Sequence, residues 1–349
     1  MGELSPRPVP RILSIAGTDP TGGAGIQADL KSIAANGGYG MAVVTALVAQ
    51  NTHGVRSVHT PLVEFLRQQL DAVSDDVVID AVKIGMLGSR EVTETVTDWL
   101  AGVQPPATVL DPVMVATSGD RLLSSDAEDA LRRLLYRVDL VTPNLPELGV
   151  LLNEPEAQTW DEALAQGRRL ASAYSLAVLV KGGHLAGDTA PDALVVPDGA
   201  GGFTVTQVRS ERVATQNTHG TGCSLSAAMA TMFARTGNWE QALDAAKAWL
   251  QEALETADLL DVGAGHGPVN HFHGVWERGL AAVAEPQASG GGPLQRALGA
   301  TRRHRGLLSH GGRRLRGLAG ASLPHPSLCG RRPPVSTPAS PAAEGRPPG

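Results

Sequence analysis

Residues 217–223 combine the residue types needed for an anion site and for proton transfer. They read Asn-Thr-His-Gly-Thr-Gly-Cys and continue into the helix-like sequence Ser-Leu-Ser-Ala-Ala-Met-Ala. The first N–H groups of a helix have no intrahelical partner and lie at the positive end of its dipole, so they bind anions. A cysteine in that first turn is expected to have a lowered pKa, which favours thiolate chemistry near neutral pH. The alternative, a glycine-rich loop capped by an inert buried cysteine, stays open on this segment alone.

A second group of polar residues follows predicted strands. Asp111, Asn144 and Lys181 each lie at or just after the end of an apolar run. Asn144 and Glu147 stand three residues apart at a predicted helix start and offer the hard oxygen atoms that Mg²⁺ prefers. The same spacing is that of a capping box, in which two side chains satisfy free N–H groups at a helix start. Lys181 precedes two glycines and could either contact a phosphate or be an ordinary surface lysine. For Asn144 and Glu147, a Mg²⁺ site and a capping box likewise both stay open here.

Three other binding patterns fail when they are checked. Residues 23–28 imitate a dinucleotide fingerprint, but that motif needs an acidic residue about 20 positions later, and none occurs between Asp29 and Glu64. The Gly-Lys-Ser/Thr end of a phosphate loop is also absent. His266, His271 and His273 match no zinc spacing, so we expect no metal there.

The elements that must position these residues alternate from residue 11 to about residue 284. Apolar runs predict strands at residues 12–16, 41–49, 79–84, 108–113, 139–142 and 176–181, and an edge hairpin at 193–196 and 203–208. Helices are predicted at residues 24–36, 221–235 and 239–258, after Ser89, and along one apolar face formed by Leu62, Phe65, Leu66, Leu70 and Val73. This alternation indicates an α/β protein with three layers, α/β/α, around a central, mostly parallel sheet. Ligands bind at the carboxyl ends of such strands, so residues 17–19, 50–51 and 83–86 outline one cleft with the polar residues above.

Composition limits the classes of function. The 349 residues are 42% hydrophobic and 3% aromatic, with two cysteines, and no apolar run approaches the ~20 residues of a membrane span, so we expect a cytoplasmic protein without a membrane partner. We expect a flexible N-terminus at residues 1–10, one domain at 11–284 and a disordered tail at 285–349. That tail has ten arginines and two glutamates, which give it a charge of about +8. Because the net charge of the whole chain is −6, the remaining residues carry about −14. An acidic body makes nucleic acid an improbable partner, although an arginine tail leaves that alternative to be tested.

Taken together, the motifs resemble the bacterial hydroxymethylpyrimidine/phosphomethylpyrimidine kinases of thiamine biosynthesis, which are ribokinase-like enzymes. The resemblance extends over about residues 12–276, in order and with natural spacings. The matching segments are residues 14–31, 82–87, 110–114, 142–147, 181–184, 217–223 and 267–273. It implies a ribokinase-like fold and two successive phosphoryl transfers from ATP, first to 4-amino-5-hydroxymethyl-2-methylpyrimidine and then to its monophosphate.

The resemblance also implies roles for individual residues. Gly220, Thr221 and Gly222 would form the anion hole, and Cys223 would accept the proton of the substrate hydroxyl, at a position where other ribokinase-like enzymes carry an aspartate. Mg²⁺ would be held by Glu147, Asn144 and Asp111. ATP phosphates would be bound by Lys181, Asn144 and Thr218.

For the pyrimidine, the resemblance implies contacts from Gln50, Asp29, Met86 and Gly17. Some family members carry Glu at the position of Gln50, so a vitamin B6 kinase acting on pyridoxal or pyridoxine is the alternative activity. A non-catalytic protein on the same fold would be expected to lose Cys223, the anion-hole glycines or Glu147, and all are present. The family also suggests a homodimer.

Overall fold

The computed structural model describes residues 8–114, 124–183, 185 and 189–276. Most of the predicted flexible N-terminus and the whole predicted tail at 285–349 lie outside the described residues. The strands are β1 Arg11–Ala16, β2 Tyr39–Val44, β3 Leu47–Asn51, β4 Gly54–His59, β5 Ala81–Ile84, β6 Thr108–Leu110, β7 Leu140–Val141, β8 Ala177–Lys181, β9 Thr189–Pro197 and β10 Phe203–Glu211. The α-helices are α1 Gly25–Ala35, α2 Val63–Ser74, α3 Arg90–Val103, α4 Glu128–Leu134, α5 Leu145–Leu152, α6 Trp160–Tyr174, α7 Thr221–Thr236 and α8 Trp239–Glu255.

Eight strands form the central sheet in the order β10-β9-β8-β7-β6-β5-β1-β2. Neighbours from β2 to β8 pair in parallel, whereas β9 pairs antiparallel with both β8 and β10. The mostly parallel sheet and the edge hairpin are therefore confirmed. Among the described residues, no helix combines the length and apolar character that crossing a bilayer requires.

The two faces of the sheet bury separate cores. Side chains of successive strand residues point to opposite faces, so Ile12 packs with residues of α1, α7 and α8, and its neighbour Leu13 packs with residues of α2 to α6. Trp99 of α3 is fully buried in the second core, and its indole N–H donates to Ser74 of α2. Helices on both faces give the three-layer architecture predicted from the alternation of elements.

One predicted strand is wrong. Residues 41–49 were expected to form a single buried strand, but the chain turns between β2 and β3, and β3 pairs with β4 in a separate two-stranded sheet. The Thr45 hydroxyl donates to the carbonyl oxygen of Met86 at 2.6 Å. The backbone N–H of Thr18 donates to the carbonyl oxygen of Ala46 at 2.9 Å. These contacts hold the turn against the loops after β5 and β1. Gln50 consequently lies on a hairpin over the sheet edge rather than at the end of a central strand.

The predicted apolar face of α2 is also only partly buried. Leu66 and Leu70 lie in the core as expected. Leu62 and Phe65 are exposed to 77% and 57%. The helix thus leaves part of its apolar surface uncovered.

Candidate active site

A cavity of about 870 Å³ opens at the carboxyl ends of the central strands. It is bounded by the loops after β1, β5, β6, β7 and β8, by the β3–β4 hairpin and by the start of α7. The sequence-predicted site residues that line it are Gly17, Gln50, Met86, Asp111, Asn144, Glu147, Lys181, Thr218, Gly220, Thr221, Gly222 and Cys223. Among the residues with a predicted individual role, Asp29 alone does not line it. Of the segments expected to outline the cleft, Asp19, Asn51, Ile84 and Gly85 do not line it either.

The start of α7 forms one wall of the cavity. Gly220 is the N-cap, with φ at +78°, and a Cβ atom there would lie 1.8 Å from the carbonyl oxygen of Gly23. Only glycine permits both this conformation and this close approach of two loops. The glycine N-cap has no side chain to bond the helix. The Thr221 N–H donates to the Thr218 carbonyl oxygen at 3.2 Å, and the N–H groups that follow it in the first turn lie at the positive end of the dipole. The geometry suits an anion.

A lysine and an aspartate face this helix start. Lys181 Nζ donates to Asp111 Oδ1 at 3.0 Å, and a Cβ atom on Gly222 would lie 3.4 Å from both side chains. The Lys181 side chain is 17% exposed, which excludes the alternative of an ordinary surface lysine. Burial works to lower the pKa of Lys181, but the carboxylates of Asp111 and Glu147 raise it above its ordinary value. The ammonium group is therefore a permanent positive charge beside the helix start.

Asn144 and Glu147 form a complete capping box at the start of α5. The Asn144 side chain accepts from the Glu147 N–H, and the Glu147 carboxylate accepts from the Asn144 N–H, both at 2.9 Å. Burial raises the pKa of Glu147 to about 7; Lys181 opposes this shift and Asp111 adds to it. The capping interpretation is thus confirmed, and Glu147 also presents a carboxyl group to the cavity.

The oxygen atoms available here fit Mg²⁺ that keeps most of its water. Asp111 and Glu147 supply two carboxyl groups, and one oxygen of Glu147 is already used in the capping box. No group of three or more His, Cys, Asp or Glu side chains that could hold a metal occurs in the described part of the chain. Mg²⁺ is commonly bound by one or two carboxylates plus substrate phosphates, so the donor set is compatible with a metal that arrives with a nucleotide.

Cys223 lies in the first turn of α7, partly exposed to the cavity. The expected lowering of its pKa is wrong. Burial raises the pKa of the thiol to about 11, with Asp29 and Asp111 acting in the same direction and Lys83 opposing them. A helix start favours a thiolate only by a local field, and here desolvation and two carboxylates outweigh it.

Asp29 is placed differently from the expectation. It is fully buried in α1, where both carboxylate oxygens accept from Lys83 Nζ at 2.8 Å and one also accepts from the Ser14 hydroxyl at 2.6 Å. A buried charge requires a partner, and Asp29 lies behind Lys83 instead of facing the cavity. Lys83 itself lines the cavity. Residues 83–86 were expected to outline the cleft, but no individual role was predicted for Lys83. A lysine inside the apolar run Ala-Val-Lys-Ile was the available signal.

The opposite end of the cavity is apolar. Met86 packs with Ala46 and Val48 in a small cluster of buried side chains. A Cβ atom on Gly17 would lie 3.1 Å from the Met86 sulfur, so the glycine leaves the thioether accessible to a flat ligand. Met86 and Gly17, predicted to contact the same ring, do lie side by side.

Asp19, in the loop after β1, is a fully buried residue without a predicted role. Its carboxylate accepts from the backbone N–H groups of Gly23 at 3.1 Å and Ala24 at 2.7 Å, and from His219 Nε2 at 2.8 Å. Burial opposes ionisation, but these bonds, with those from Gln50 and Thr21, hold the pKa of Asp19 well below its usual range. Asp19 therefore joins the loop after β1 to the segment that precedes Gly220.

The three C-terminal histidines are engaged elsewhere. His271 is buried, and its Nε2 lies 2.8 Å from the Ser224 hydroxyl oxygen. Burial lowers the pKa of His271 to about 3. His273 Nδ1 lies 3.3 Å from a Glu252 oxygen, and His266 Nδ1 lies 3.3 Å from the Gln216 carbonyl oxygen. None of them lines the cavity.

Comparisons with known proteins agree with this geometry. A family model described as phosphomethylpyrimidine kinase matches residues 19–270. The chain is 57% identical over 279 residues to the thiamine biosynthesis multifunctional protein ThiED of Corynebacterium glutamicum, which covers 80% of this chain but only 36% of that protein. The chain therefore spans about a third of the length of that relative.

Two further similarities cover almost all of the other protein. The hydroxymethylpyrimidine/phosphomethylpyrimidine kinase of Escherichia coli is 52% identical over 265 residues, which cover 76% of this chain and 98% of that protein. The crystal structure of an ADP complex of Bacillus subtilis pyridoxal kinase superposes with a TM-score of 0.69 at 31% identity, covering 76% of this chain and 98% of that one. The predicted ribokinase-like α/β fold is confirmed by these similarities.

Proposed function

Because the chain belongs to the phosphomethylpyrimidine kinase family, we propose that it phosphorylates 4-amino-5-hydroxymethyl-2-methylpyrimidine and then the resulting monophosphate, with ATP as donor, in thiamine biosynthesis. One observation carries the proposal. A single cavity has an anion-binding helix start, a paired lysine and a cysteine at one end, and a methionine-lined apolar pocket with a glutamine at the other. This arrangement fits transfer of a phosphoryl group to a small flat polar ring.

The anion site would hold the transferred phosphoryl group. Phosphoryl transfer depends mainly on positioning and on stabilising charge. Gly220, Thr221 and Gly222 would supply both together with the ammonium group of Lys181, since all four residues line the cavity and a Cβ atom on Gly222 would lie 3.4 Å from Lys181 Nζ. The Thr221 hydroxyl donates to the Thr218 carbonyl oxygen at 2.6 Å, which fixes the loop that leads into α7.

Mg²⁺ would be held by Asp111 and Glu147, with Asn144 supporting Glu147 through the capping box. When bound, the ion would neutralise charge on the nucleotide phosphates. Lys181 Nζ donates to Asp111 Oδ1 at 3.0 Å, on the side of the cavity where the phosphates would lie. Asn144 and Thr218 also line this part of the cavity and are the proposed further contacts to ATP.

Cys223 would accept the proton of the substrate hydroxyl in the first transfer. With its pKa raised to about 11, the side chain is a thiol at neutral pH in the free protein. Lys83 is the nearby positive charge that stabilises the thiolate form. In the second transfer the attacking group is an ionised phosphate, so proton acceptance matters less.

The apolar end of the cavity would bind the pyrimidine ring. Met86 and Gly17 would lie against its faces, and Gln50 against its polar edge. Asp29 would act on the ring only indirectly, through the ammonium group of Lys83. Thioether and amide groups together suit a heterocycle that is flat and partly polar.

The test is an ATP-dependent assay with hydroxymethylpyrimidine and pyridoxal in parallel that resolves monophosphate from diphosphate products. We expect both phosphorylated pyrimidines in sequence. A Lys181→Met variant serves as the control that the activity belongs to this site. Formation of pyridoxal phosphate without any pyrimidine diphosphate would overturn the proposal and favour the vitamin B6 kinase alternative, which the structural similarity to a pyridoxal kinase supports.

The family resemblance and several exposed apolar side chains also support a homodimer. Large apolar side chains are exposed on edge strand β2, on the β3–β4 hairpin and at the start of α2; they are Tyr39, Leu47, Val58, Leu62 and Phe65. Exposed apolar patches commonly mark protein interfaces. Sedimentation of the wild-type chain should give the dimer mass, and a Phe65→Glu variant should shift it towards the monomer. The proposed reaction uses ATP, so we place the protein in the cytoplasm.

A further inference from the structure

The β3–β4 hairpin, which carries Gln50, is held to the rest of the protein at both of its ends. At its base, next to the turn between β2 and β3, the Val48 N–H donates to the Thr18 hydroxyl at 3.0 Å. At its tip Thr52 is only 8% exposed, although its neighbour His53 is exposed to solvent. A two-stranded hairpin is marginally stable by itself, so the contacts of its tip help to fix the place of Gln50.

Thr52 packs against residues 263–268, a short segment that we call the clasp. The Gly265 N–H donates to the Thr52 hydroxyl at 3.2 Å, and the His266 N–H donates to the Thr52 carbonyl oxygen at 2.8 Å. The approach is close, because a Cβ atom on Gly265 would lie 2.2 Å from that carbonyl oxygen, and one on Gly263 would lie 2.5 Å from the hydroxyl. The clasp therefore contacts the tip of the hairpin through both the backbone and the side chain of Thr52.

The clasp is also bonded to the residues that precede the proposed anion site. The Gly267 N–H donates to Asn217 Oδ1 at 3.0 Å, and the His219 N–H donates to the Gly267 carbonyl oxygen at 3.0 Å. His219 and Pro268 form a parallel β-bridge. Gly220, the N-cap of α7, follows directly in the chain, so the backbone at which the anion site begins is fixed by the clasp.

The two sets of contacts are made by consecutive N–H groups of the clasp. Those of Gly265 and His266 donate to the hairpin, and that of Gly267 donates to the segment before the anion site. Beyond these residues Val269 is fully buried, and the Asn270 N–H donates to a carbonyl oxygen of α8 at 2.9 Å. Consecutive Cα atoms are about 3.8 Å apart, so the connection between hairpin and anion site has no length to give.

We propose that the clasp sets the distance between the ring-binding end of the cavity and the anion site, and so positions the pyrimidine hydroxyl for attack on the transferred phosphoryl group. This inference rests on the proposed function. In that step the substrate oxygen bonds to the γ-phosphorus of ATP, the bond from that phosphorus to the bridging oxygen breaks to release ADP, and the hydroxyl proton passes to Cys223.

The distance matters because Gln50 lies on one partner of the clasp and Gly220 follows the other, and both line the cavity. Reacting groups must be held about 3–3.5 Å apart, and a misplacement of about 1 Å can cost on the order of 100-fold in rate. An altered clasp should therefore slow the transfer itself far more than it weakens the binding of either ligand alone.

The test is a Gly265→Ala variant, in which the first transfer is measured in a single turnover with both substrates saturating. The backbone of Gly265 is not left-handed, and the atoms nearest to the new methyl group would belong to Thr52 and His53 at the hairpin tip. We expect the rate to fall roughly tenfold or more. The dissociation constants of ADP and of 4-amino-2,5-dimethylpyrimidine, a probe without the reacting hydroxyl, should stay within about threefold by titration calorimetry.

Gly274→Ala is the matched control. A Cβ atom there would have no neighbour within 4 Å, so this variant should keep the wild-type rate. A Gly265→Ala rate within about threefold of the control, or a loss confined to the two dissociation constants, would overturn the inference.

The other end of the clasp offers a second perturbation. Gly267→Ala would place a methyl group 2.1 Å from Asn217 Oδ1, and it should lower the same rate with little change in the two dissociation constants. In an Asn217→Ala background that oxygen is absent, so adding Gly267→Ala should lower the rate by no more than about twofold. A full, independent loss in the double variant would contradict an action through this contact.

Milder variants of Thr52 decide the question if the alanine variants do not fold. Thr52→Val keeps the shape of the side chain but leaves the Gly265 N–H without its acceptor, and it should lower the single-turnover rate roughly threefold or more. Thr52→Ser keeps the hydroxyl and should restore the wild-type rate. A valine variant that is as fast as the serine variant refutes the positioning role. If the wild-type protein phosphorylates pyridoxal but not the pyrimidine, the proposed function fails, whereas the clasp is tested with the same variants and pyridoxal as acceptor.

Discussion

If Cys223 is the base in the proposed first phosphoryl transfer, the pH dependence of that step should follow the environment of its thiol. A thiol with a pKa of about 11 is ionised in only about one molecule in ten thousand at pH 7. Only the thiolate can accept the substrate proton, and its fraction rises tenfold per pH unit below the pKa. If Cys223 is the base, kcat/KM for hydroxymethylpyrimidine should therefore rise about 100-fold between pH 7 and pH 9.

The second transfer provides an internal control in the same protein sample. Its nucleophile is a phosphate with a second pKa near 6, which is almost fully ionised at pH 7. We expect its kcat/KM to change less than about twofold over the same range. Changes in Mg²⁺ binding, in ATP or in folding would affect both transfers, so the ratio of the two rates isolates the proton step.

A Cys223→Ala variant completes the measurement. General-base catalysis contributes on the order of 10²–10⁴ in rate, so at pH 9 the variant should lose about 100-fold or more in the first transfer and less than tenfold in the second. Its first-transfer profile should be flat. Quenched-flow or chromatographic separation of mono- and diphosphate products gives both rates. A flat wild-type profile, or a rise that persists in the variant, would refute the assignment of Cys223 as the base.

Three further predictions concern other parts of the structure. Gly220→Ala places a methyl group on the Gly23 carbonyl and should cost more than about 3 kcal/mol in unfolding free energy, whereas Gly237→Ala, also at positive φ but in open space, should cost about 1–2 kcal/mol; urea denaturation compares them. The pKa of His271 is lowered to about 3, so below pH 6.5 the unfolded chain binds a proton that the folded protein does not. The free energy of unfolding should therefore fall by about 2 kcal/mol from pH 7 to pH 5. A His271→Gln variant should lose that part of the pH dependence. Lys181→Met should reduce kcat/KM for ATP by at least tenfold with little change in pyrimidine binding by calorimetry, and unchanged kinetics would exclude its phosphate contact.

Much of the fold could be predicted because it depends on local patterns. The apolar runs at β1, β5 and β8 and the cap at Ser89 are each decided by a few neighbouring residues, and the structure has them close to the expected positions. The break between β2 and β3 could not be predicted in this way. It depends on Thr45 reaching the carbonyl oxygen of Met86, a residue 41 positions later in the chain.

The candidate site shows the same division between local and distant information. Motifs identified most of the residues that line the cavity, because Gly17, Asp111, Asn144 and Lys181 lie at or just after strand ends, which converge in a parallel sheet. They did not identify their partners. The pairing of Asp29 with Lys83 depends on how α1 packs against β5 of the sheet. The contact of Asp19 with His219, 200 positions later, depends on how the loop after β1 meets the segment before α7. The expectation of a lowered pKa for Cys223 was wrong for the same reason. A helix start can be seen in the sequence, but burial beside two carboxylates cannot.

The two lysine–carboxylate pairs around Cys223 differ in exposure, and this difference separates their roles. Lys83 and Asp29 are both fully buried, whereas Lys181, bonded to Asp111, retains 17% exposure at the cavity. A buried pair is seldom more stable than apolar residues of the same size. Lys83 lines the cavity, but its ammonium group is already bonded to both carboxylate oxygens of Asp29. A neutral thiol adds no third negative charge near Asp29 and Asp111 while the site is empty. In the proposed mechanism the charge would form only when the substrate proton is accepted, and Lys83 would then be the positive group that stabilises it, whereas Lys181 would hold the phosphate.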